Sequence, residues 1–216
     1  MTVKSVMRRA VRAYRTALAS GARARSARTL ARSVAESPAP LRVHLGCGPV
    51  YLAGWLNVDI ERDSRADVRL DLRNGLPLPA GSASHVFSEH VFEHLDLADG
   101  RRLLRDVRMA LGPGGLVRIA MPDLSTLVER YENGWRDQEW LKDPGYAEID
   151  TAAHMLNFAL RSWDHRYVYD FDDLELRLHE AGFSKVRRAE WGASEHEALQ
   201  GLERRPDSLL IVEATR

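Results

Sequence analysis

Two histidines and a glutamate with metal-ligand spacing lie near the middle of the chain. They are His90, Glu93 and His94, within the segment FSEHVFEHL. The spacing H-x-x-E-H is that of inverted zinc peptidases. Histidines four residues apart share one face of a helix, so both could hold a single metal ion. A peptidase site of this kind also needs a distant acidic ligand and an open cleft, which makes a zinc metallopeptidase a remote alternative.

A short glycine turn points to a different chemistry. Gly46, Cys47 and Gly48 directly follow the first predicted strand, and glycines there let the backbone approach a ligand closely. Asp59, at the end of the next predicted strand, could accept both hydroxyls of a ribose. It comes earlier than the roughly 20 residues expected of a dinucleotide fold, and Tyr51 stands where the third glycine would be. The pattern favours a ligand with a ribose but no pyrophosphate.

Regular elements must position these residues, and the chain after Pro40 alternates strands with helices. The predicted strands are 41–45, 55–60, 67–72, 85–88, 116–121, 185–191 and 208–214, and the main predicted helices are 97–111 and 171–181. Such alternation indicates an α/β fold, a mostly parallel sheet of seven strands with helices on both faces. Ligands of such sheets bind beyond the carboxyl ends of the strands.

The connection between the first two strands is unusually short. Only residues 46–54 separate them, whereas a parallel crossover usually needs a dozen or more residues. We expect either a crossover helix reduced to about one turn or a different pairing of these strands. The N-terminal arm could cover the face that a shortened helix leaves bare.

Residues 1–40 form a basic arm on an acidic body. The arm holds nine lysines and arginines against one acid, although the net charge of the 216-residue chain is zero. Residues 3–18 have the spacing of an amphipathic helix, and residues 24–35 predict a second short helix before the Ser37-Pro38-Ala39-Pro40 break. We expect the apolar side of the arm to pack on the body or on a second subunit, so a homodimer is plausible. A transit peptide and a membrane-surface helix are alternatives.

Composition limits the remaining classes of protein. The chain is 44% hydrophobic and 29% charged, as is usual for globular proteins, and has no apolar run of membrane-spanning length. A single cysteine, Cys47, excludes an internal disulfide and predicts a cytoplasmic location. The acidic body and the absence of any base-reading module predict that nucleic acid is not a partner.

Several motifs, taken in order, resemble one known family. VHLGCGP, NVDI, LDLRNGLPLP, VFSEHVFEHL and LGPGGLVRIAMPDL, from residue 42 to about 124, resemble class I S-adenosylmethionine-dependent methyltransferases. The tail WDHRYVYDFDDLELRLHEAGF resembles small bacterial members that act on sugars and cell-surface polysaccharides. The whole chain is similar to actinobacterial sugar O-methyltransferases of methylmannose polysaccharide synthesis. The resemblance implies a Rossmann-like methyltransferase domain over 41–216, with methyl transfer from S-adenosylmethionine to a hydroxyl of a sugar or oligosaccharide, a mannoside or methylmannoside included.

The resemblance also assigns a set of cofactor-binding residues. They are Gly46, Cys47, Gly48, Asp59, Asp71, Leu72, Ser88 and Glu89. The glycine turn would line the methionine part, and Asp59 would hold the ribose hydroxyls. Asp71 with Leu72 would lie beside the adenine, and the last two residues near the sulfonium. One departure is His44, which replaces the acid that commonly precedes the turn.

The resemblance gives the H-x-x-E-H residues a different role. In this family Glu93 and His94 would orient the loop or the cofactor with no metal bound, so no metal is predicted. A subset of related enzymes holds a divalent ion here with Glu and His. His90, Glu93 and His94 therefore remain alternative ligands, with His154 or His165 completing the set. The peptidase interpretation leaves the glycine turn unexplained.

The segment 122–168 is longer than a strand connection requires and rich in tryptophan and tyrosine. As an insertion after the fifth strand it lies on the ligand side of the sheet, and we expect a lid and an acceptor pocket there. A hydroxyl must lose its proton on methylation, and a nearby histidine can accept it. The candidate bases are His165 and His90, one from each side of the presumed cleft, and then His154. Alternatives are methylation of another small metabolite and a cofactor-binding or docking module without catalysis.

Overall fold

The computed structural model describes residues 28–37 and 39–216, which form seven strands and five α-helices. The strands are β1 (Leu41–Leu45), β2 (Leu56–Asp59), β3 (Val68–Arg69), β4 (Ala83–Glu89), β5 (Leu111–Met121), β6 (Ser184–Arg188) and β7 (Leu210–Thr215). The helices are α1 (28–36), α2 (Leu97–Ala110), α3 (Leu124–Glu132), α4 (Ala152–Arg161) and α5 (Phe171–Ala181). Short 3-10 turns lie at Leu72–Asn74, Phe92–His94, Trp135–Asp137, Glu139–Lys142, Pro144–Tyr146 and Glu197–Leu199.

The strands form one sheet in the order β3-β2-β1-β4-β5-β7-β6. Neighbouring strands are parallel from β3 to β5, and β7 runs antiparallel to both β5 and β6. The predicted mostly parallel sheet of seven strands is confirmed. The order of the strands reverses between β1 and β4, and ligands of open α/β sheets bind at such a switch point.

The first crossover contains turns instead of a helix. β1 and β2 pair in parallel, with Val43 opposite Leu56, so the expected pairing holds although residues 46–55 contain no helix at all. The side-chain amide of Asn57 bonds to the backbone N–H and C=O of Leu52 and to the C=O of Trp55. These bonds satisfy backbone groups that a helix would otherwise pair internally.

Two predicted strands have different bounds in the structure. The third is only Val68–Arg69, because Asp71 caps the 3-10 turn that follows and accepts a hydrogen bond from the N–H of Arg73. The fifth begins at Leu111, five residues earlier than predicted. Ala83 pairs with Leu111 and His85 with Leu116, so the glycine-rich residues 112–115 form an irregular start of β5 instead of only ending the helix before it.

One face of the sheet carries α1, α2 and α5. Leu103, Leu104 and Val107 of α2 are fully buried there, and α5 ends at Gly182 in the left-handed conformation, as the sequence predicts. Leu30 of α1 is 1% exposed and belongs to the same core cluster. The described part of the arm therefore packs on this face.

The opposite face of the sheet is covered by the short first crossover and by the connection between β6 and β7. Its buried cluster comprises Trp55, Phe87, Leu116, Ala120, Leu199, Leu202 and Ile211. Among the described residues, the helical contribution to this cluster is the 3-10 turn Glu197–Leu199. A fully buried arginine, Arg118 of β5, joins the layers by donating to Glu203 at 2.5 Å and to Glu213 at 2.6 Å.

The predictions for the arm are tested only in part. Residues 1–27 and 38 lie outside the described residues, and with them the predicted amphipathic helix over 3–18. Helix α1 overlaps the predicted second helix over 28–35, but it packs on the face opposite to the short crossover. The homodimer and the membrane-surface contact remain predictions. No helix of residues 28–37 and 39–216 is long and apolar enough to cross a bilayer.

The insertion after β5 folds over the carboxyl ends of the strands and has a small core of its own. Leu127, Ile149, Met155 and Ala159 are buried in it, between α3, α4 and the 3-10 turns that connect them. We call residues 122–168 the lid. Its attachment to the strand ends is direct, because the C=O of Glu93 accepts hydrogen bonds from the N–H groups of Arg166, at 2.7 Å, and Tyr167.

Candidate active site

Two adjoining cavities lie at the carboxyl ends of the parallel strands. The strand-end cavity, of about 540 Å³, lies beside the 46–48 turn and Asp59. The lid cavity, of about 430 Å³, lies between the end of β5, the lid and the connection from β6 to β7. Both volumes are in the range of about 300–1,000 Å³ that is usual for small-ligand sites. The residues that line both cavities are His90, His94, Trp163 and Arg205.

Asp59 faces the strand-end cavity and is only 7% exposed. Its Oδ2 accepts a hydrogen bond from the N–H of Gly48 at 2.7 Å, and its Oδ1 accepts one from the N–H of Glu61 at 2.7 Å. An ionised carboxylate has about four acceptor positions, so two remain for a ligand. A pair of vicinal hydroxyls could bind here.

The glycine turn forms the adjoining wall. Gly46 has φ +64°, and a Cβ at this position would lie 2.1 Å from Cγ2 of Val91. Only glycine therefore fits there. Gly48 also has a left-handed backbone, with φ +49°. Cys47 lies between them but is 2% exposed and does not line the cavity, and burial, with nearby acids, raises the pKa of its thiol to about 11. Cys47 is consequently a packed turn residue whose thiol stays protonated near neutral pH.

An apolar slot with an acid at its edge completes the strand-end cavity. Leu70, Leu72 and Ile60 supply the apolar walls, and Asp71 lies beside them. Burial alone would raise the pKa of Asp71, but hydrogen bonds from Arg73, one of them 2.8 Å from Nε, outweigh it and lower the pKa below its ordinary value. A ring of adenine size with an amino group fits such a slot. The wall as a whole suits an adenosyl group.

Like Cys47, two further predicted cofactor residues, Ser88 and Glu89, do not line either cavity. The hydroxyl of Ser88 is buried and has no hydrogen-bond partner among the described residues. Glu89 instead accepts hydrogen bonds from the N–H groups of Arg204 and Arg205 and from the hydroxyl of Ser208, at 2.8 Å. Glu89 thus fixes the segment that brings Arg205 to the cavities.

His90 lies at the junction of the two cavities. Its backbone is left-handed, with φ +53°, an uncommon conformation for a residue with a side chain and one that is concentrated at functional sites. Its Nδ1 is 3.0 Å from Oε1 of Glu93 and its Nε2 is 3.7 Å from Oδ1 of Asp207. The side chain is 7% exposed. His90 therefore presents one ring nitrogen to a buried acid and the other to the cavities.

Glu93 is fully buried beneath the histidines. Burial would raise its pKa, but the contacts from His90 and His94 outweigh this and hold the pKa below its ordinary value. Neither carboxylate oxygen forms an aligned hydrogen bond with a described residue, and Nδ1 of His90 approaches Oε1 to 3.0 Å. One ligand atom each of Glu93, His94 and His165 lies within 4.8 Å of the others, a spacing that could hold a metal ion.

The H-x-x-E-H segment does not form a peptidase helix. Phe92–His94 is a single 3-10 turn, and His90 precedes it in the left-handed conformation. His90 and His94 thus do not share one face of an α-helix. Among the described residues, the predicted metal ligands that lie close enough together to hold one ion are Glu93, His94 and His165.

The lid contributes one of the two histidines that were predicted from it. The imidazole of His165 lines the lid cavity and its Nδ1 donates to the C=O of Ala159 at 2.7 Å, which leaves Nε2 unprotonated in the neutral form. Burial lowers the pKa of His165. His154 lines neither cavity, because it is exposed on α4 and lies 3.3 Å from Asp150.

Aromatic rings form one wall of the lid cavity. Trp140, Tyr146 and Trp163 pack edge to face, with ring centroids 5.3–5.7 Å apart. Trp163 and the following Asp164 both have positive φ, and this tight turn places the indole between the two cavities. The wall is suited to the apolar face of a ring-shaped ligand.

Several cavity residues were not identified from the sequence. Thr126 and Arg130 of α3 line the lid cavity, as do Arg205 and Asp207 from the connection between β6 and β7. That connection could have been noticed, because it is much longer than antiparallel neighbours require and carries the polar run ERRPD. The two α3 residues have no comparable local signal.

Comparison with known proteins agrees with this geometry. Residues 43–119 match the family of methyltransferase domains. A S-adenosylmethionine-dependent methyltransferase from Archaeoglobus fulgidus is 17% identical, with 82% of this chain and 86% of that chain covered and a TM-score of 0.50. Another, from Mesorhizobium loti, is 17% identical, with 83% and 92% covered and a TM-score of 0.50. No curated protein matches the sequence. Residues 43–119 thus match a methyltransferase domain, and the described chain shares its fold with S-adenosylmethionine-dependent methyltransferases.

Proposed function

We propose that this chain is an S-adenosylmethionine-dependent methyltransferase that acts on a hydroxyl group of a sugar or oligosaccharide. The observation that carries the proposal is the arrangement of the cavities. A strand-end cavity lined by the glycine turn, Asp59 and Asp71 meets an aromatic-walled lid cavity at His90. Bound S-adenosylmethionine supplies an electrophilic methyl group for direct displacement, so an acceptor oxygen must lie in line behind it. Positioning of this kind supplies much of the rate of such a reaction.

The strand-end cavity holds the donor in this proposal. Asp59 accepts the ribose hydroxyls with its two free acceptor positions, and Asp71 with Leu72 contacts the adenine. Gly46 and Gly48 line the methionine part, because their backbone leaves room for it. Ser88 and Glu89 support this edge of the sheet from behind the cavity wall, and Cys47 packs beneath the turn.

The lid cavity holds the acceptor, and His90 accepts its proton. Glu93 stays anionic beside Nδ1 of His90, so it orients the ring and stabilises the imidazolium that forms. His165 is the second candidate base, because its Nε2 is free and its lowered pKa keeps the ring neutral below the ordinary value of 6.5. The aromatic wall stacks on the C–H face of a pyranose ring.

Isothermal titration with S-adenosylhomocysteine and an acceptor screen with labelled methyl donor test the proposal. The screen contains mono- and oligosaccharides, with non-sugar hydroxyl compounds as the comparison. Tight binding of S-adenosylhomocysteine together with transfer only to non-sugar acceptors would reject the sugar specificity. Failure of Asp59→Asn to weaken S-adenosylhomocysteine binding would reject the ribose contact.

Histidine variants then identify the base. His90→Gln or His165→Gln should reduce kcat by about 10²- to 10⁴-fold and leave S-adenosylhomocysteine binding unchanged, since a positioned general base contributes about this much. The exposed His154→Gln is the matched control and should retain full turnover. If both cavity histidines can be replaced without loss of kcat, neither is the base.

A further inference from the structure

We infer that the acceptor carries an anionic group, a phosphate or a carboxylate, which Arg130 binds in the lid cavity. This inference rests on the proposed function, because it names the class of acceptor for the same site. It is drawn from the charges that line the cavity and from the partners that each charge has.

Arg130 is a half-buried cation without a counter-ion among the described residues. It lies one turn after Thr126 on α3, and both side chains line the lid cavity. No hydrogen bond or ion pair joins its guanidinium to any residue of 28–37 or 39–216. A charge held at a cavity wall costs solvation energy unless it is paired, so a bound anion would supply the missing partner.

The acids of the same cavity are already paired. Asp123 accepts hydrogen bonds from the N–H and hydroxyl of Ser125, and its Oδ2 lies 3.2 Å from Nη1 of Arg188. Asp207 lies 3.7 Å from Nε2 of His90. Asp123 is thus paired with Arg188, and neither acid forms an ion pair with Arg130. Arg205 is a second arginine of the lining, at the junction of the two cavities.

Arg130 lies where it can bind the acceptor without contacting the proposed donor site. Arg130 lines the lid cavity but not the strand-end cavity, whereas His90 and Trp163 line both. An acceptor whose anionic group lies on Arg130 can place a ring against the aromatic wall and direct a hydroxyl to the junction. The planar guanidinium binds phosphate and carboxylate oxygens in pairs, which fixes the orientation of the ligand as well as its charge.

Calorimetric titration of the full chain, saturated with S-adenosylhomocysteine, tests the inference directly. The probes are mannose, mannose 1-phosphate, glucuronate and inorganic phosphate. We expect at least one anionic sugar to bind about ten-fold or more tightly than mannose, and inorganic phosphate to compete with it. Mannose 1-phosphate and glucuronate distinguish a phosphate from a carboxylate as the recognised group. If no anion binds more tightly than mannose, the inference is wrong.

Arginine variants provide the matched comparison. Arg130→Gln should weaken binding of the anionic sugar by about ten- to a hundred-fold, because a hydrogen-bonded charge is lost, and Arg130→Lys should recover part of it. S-adenosylhomocysteine binding should not change. Arg161→Gln, at an exposed position of the lid outside both cavities, is the control and should bind as the unmodified chain does. Equal behaviour of the variants at positions 130 and 161 would overturn the inference.

Measurement of methyl transfer distinguishes failure of the anion site from failure of the proposed function. Transfer to neutral sugars with kcat/KM unaffected by Arg130→Gln would reject the anion site and keep the proposed function. Arg130-dependent binding of an anionic sugar without transfer to any hydroxyl would keep the anion site and reject the proposed function.

Discussion

The glycine turn can form because residue 46 has no Cβ atom. A Cβ there would approach Cγ2 of Val91 to 2.1 Å, far inside normal contact, and the φ of +64° adds strain for any other residue. Val91 itself lines the strand-end cavity and is nearly buried, so it cannot simply move away. The glycine at position 46 therefore leaves the space that the Val91 side chain occupies in the cavity wall.

We expect Gly46→Ala to weaken S-adenosylhomocysteine binding at least ten-fold and to lower stability by about 1–3 kcal/mol, the usual cost of overpacking. Titration calorimetry and urea unfolding measure the two effects. Combining Gly46→Ala with Val91→Ala removes the clash and should recover part of the stability. If the double variant is no more stable than Gly46→Ala, the clash is not the cause.

Some residues of the proposed site could be identified from the sequence, and others could not. Gly46 and Asp59 stand in local motifs at strand ends, and the structure places both in one cavity. His154 and His165 both lie in the lid segment, yet His154 is exposed on α4 and does not line the lid cavity. Nothing in the sequence near either histidine fixes that difference.

At the scale of elements, α1 shows that the described part of the arm packs on the core of the domain. Leu30 is 1% exposed in the same cluster as the strands of the central sheet, and Val34 packs against that cluster. The helix has only nine described residues, fewer than an isolated helix needs in water, so the packing of this apolar side must stabilise it.

We predict that Leu30→Ala lowers the free energy of unfolding by about 2–5 kcal/mol, as is usual for a buried leucine. Arg32→Ala on the same helix is the control. Its ion pair with Glu36 is largely exposed, so the loss should be below about 1 kcal/mol. Urea unfolding measures both. Similar losses in the two variants would show that α1 does not pack on the core.

The sequence predicts the end of a strand or helix well when the interactions that end it are local and visible in the residue pattern. Strand β1 and helix α5 have the predicted bounds, because apolar alternation and a glycine after the last turn act locally. The strand predicted over 67–72 and the start of β5 were wrong. The third strand ends early at the side-chain cap of Asp71, a local contact with the N–H of Arg73 that the strand pattern did not reveal. The start of β5 depends on its register with β4, which is distant in sequence.

At the scale of the whole molecule, buried titratable groups should make the protein sensitive to acid. Burial lowers the pKa of His44, His85 and His165, so the unfolded chain binds protons first as the pH falls below about 6.5. Stability is therefore present above that pH and is lost as the pH falls towards the lowered values. Glu93 and Glu213 also have lowered pKa values and should add a second loss below their ordinary 4.5.

We expect the free energy of unfolding to be lower at pH 5.5 than at pH 7.5, and His44→Gln to reduce this difference. His44 is 2% exposed and its Nδ1 lies 3.1 Å from the amide oxygen of Asn57, a contact that glutamine can keep. Urea unfolding at the two pH values measures the effect, with exposed His154→Gln as the control for loss of a histidine. A difference as large in His44→Gln as in the unmodified chain would contradict the assignment.

The sequence by itself determined the class of fold, the order of most strands, and the turn and acids that meet at the strand ends. These depend on local periodicity, and the carboxyl ends of parallel strands always lie on one edge of a sheet. Only the tertiary structure decided which face α1 covers, that Glu89 fixes a loop, and that Arg130, Arg205 and Asp207 reach the cavities. Their placement depends on long-range packing of the lid and of the connection between β6 and β7, which no short stretch of sequence encodes.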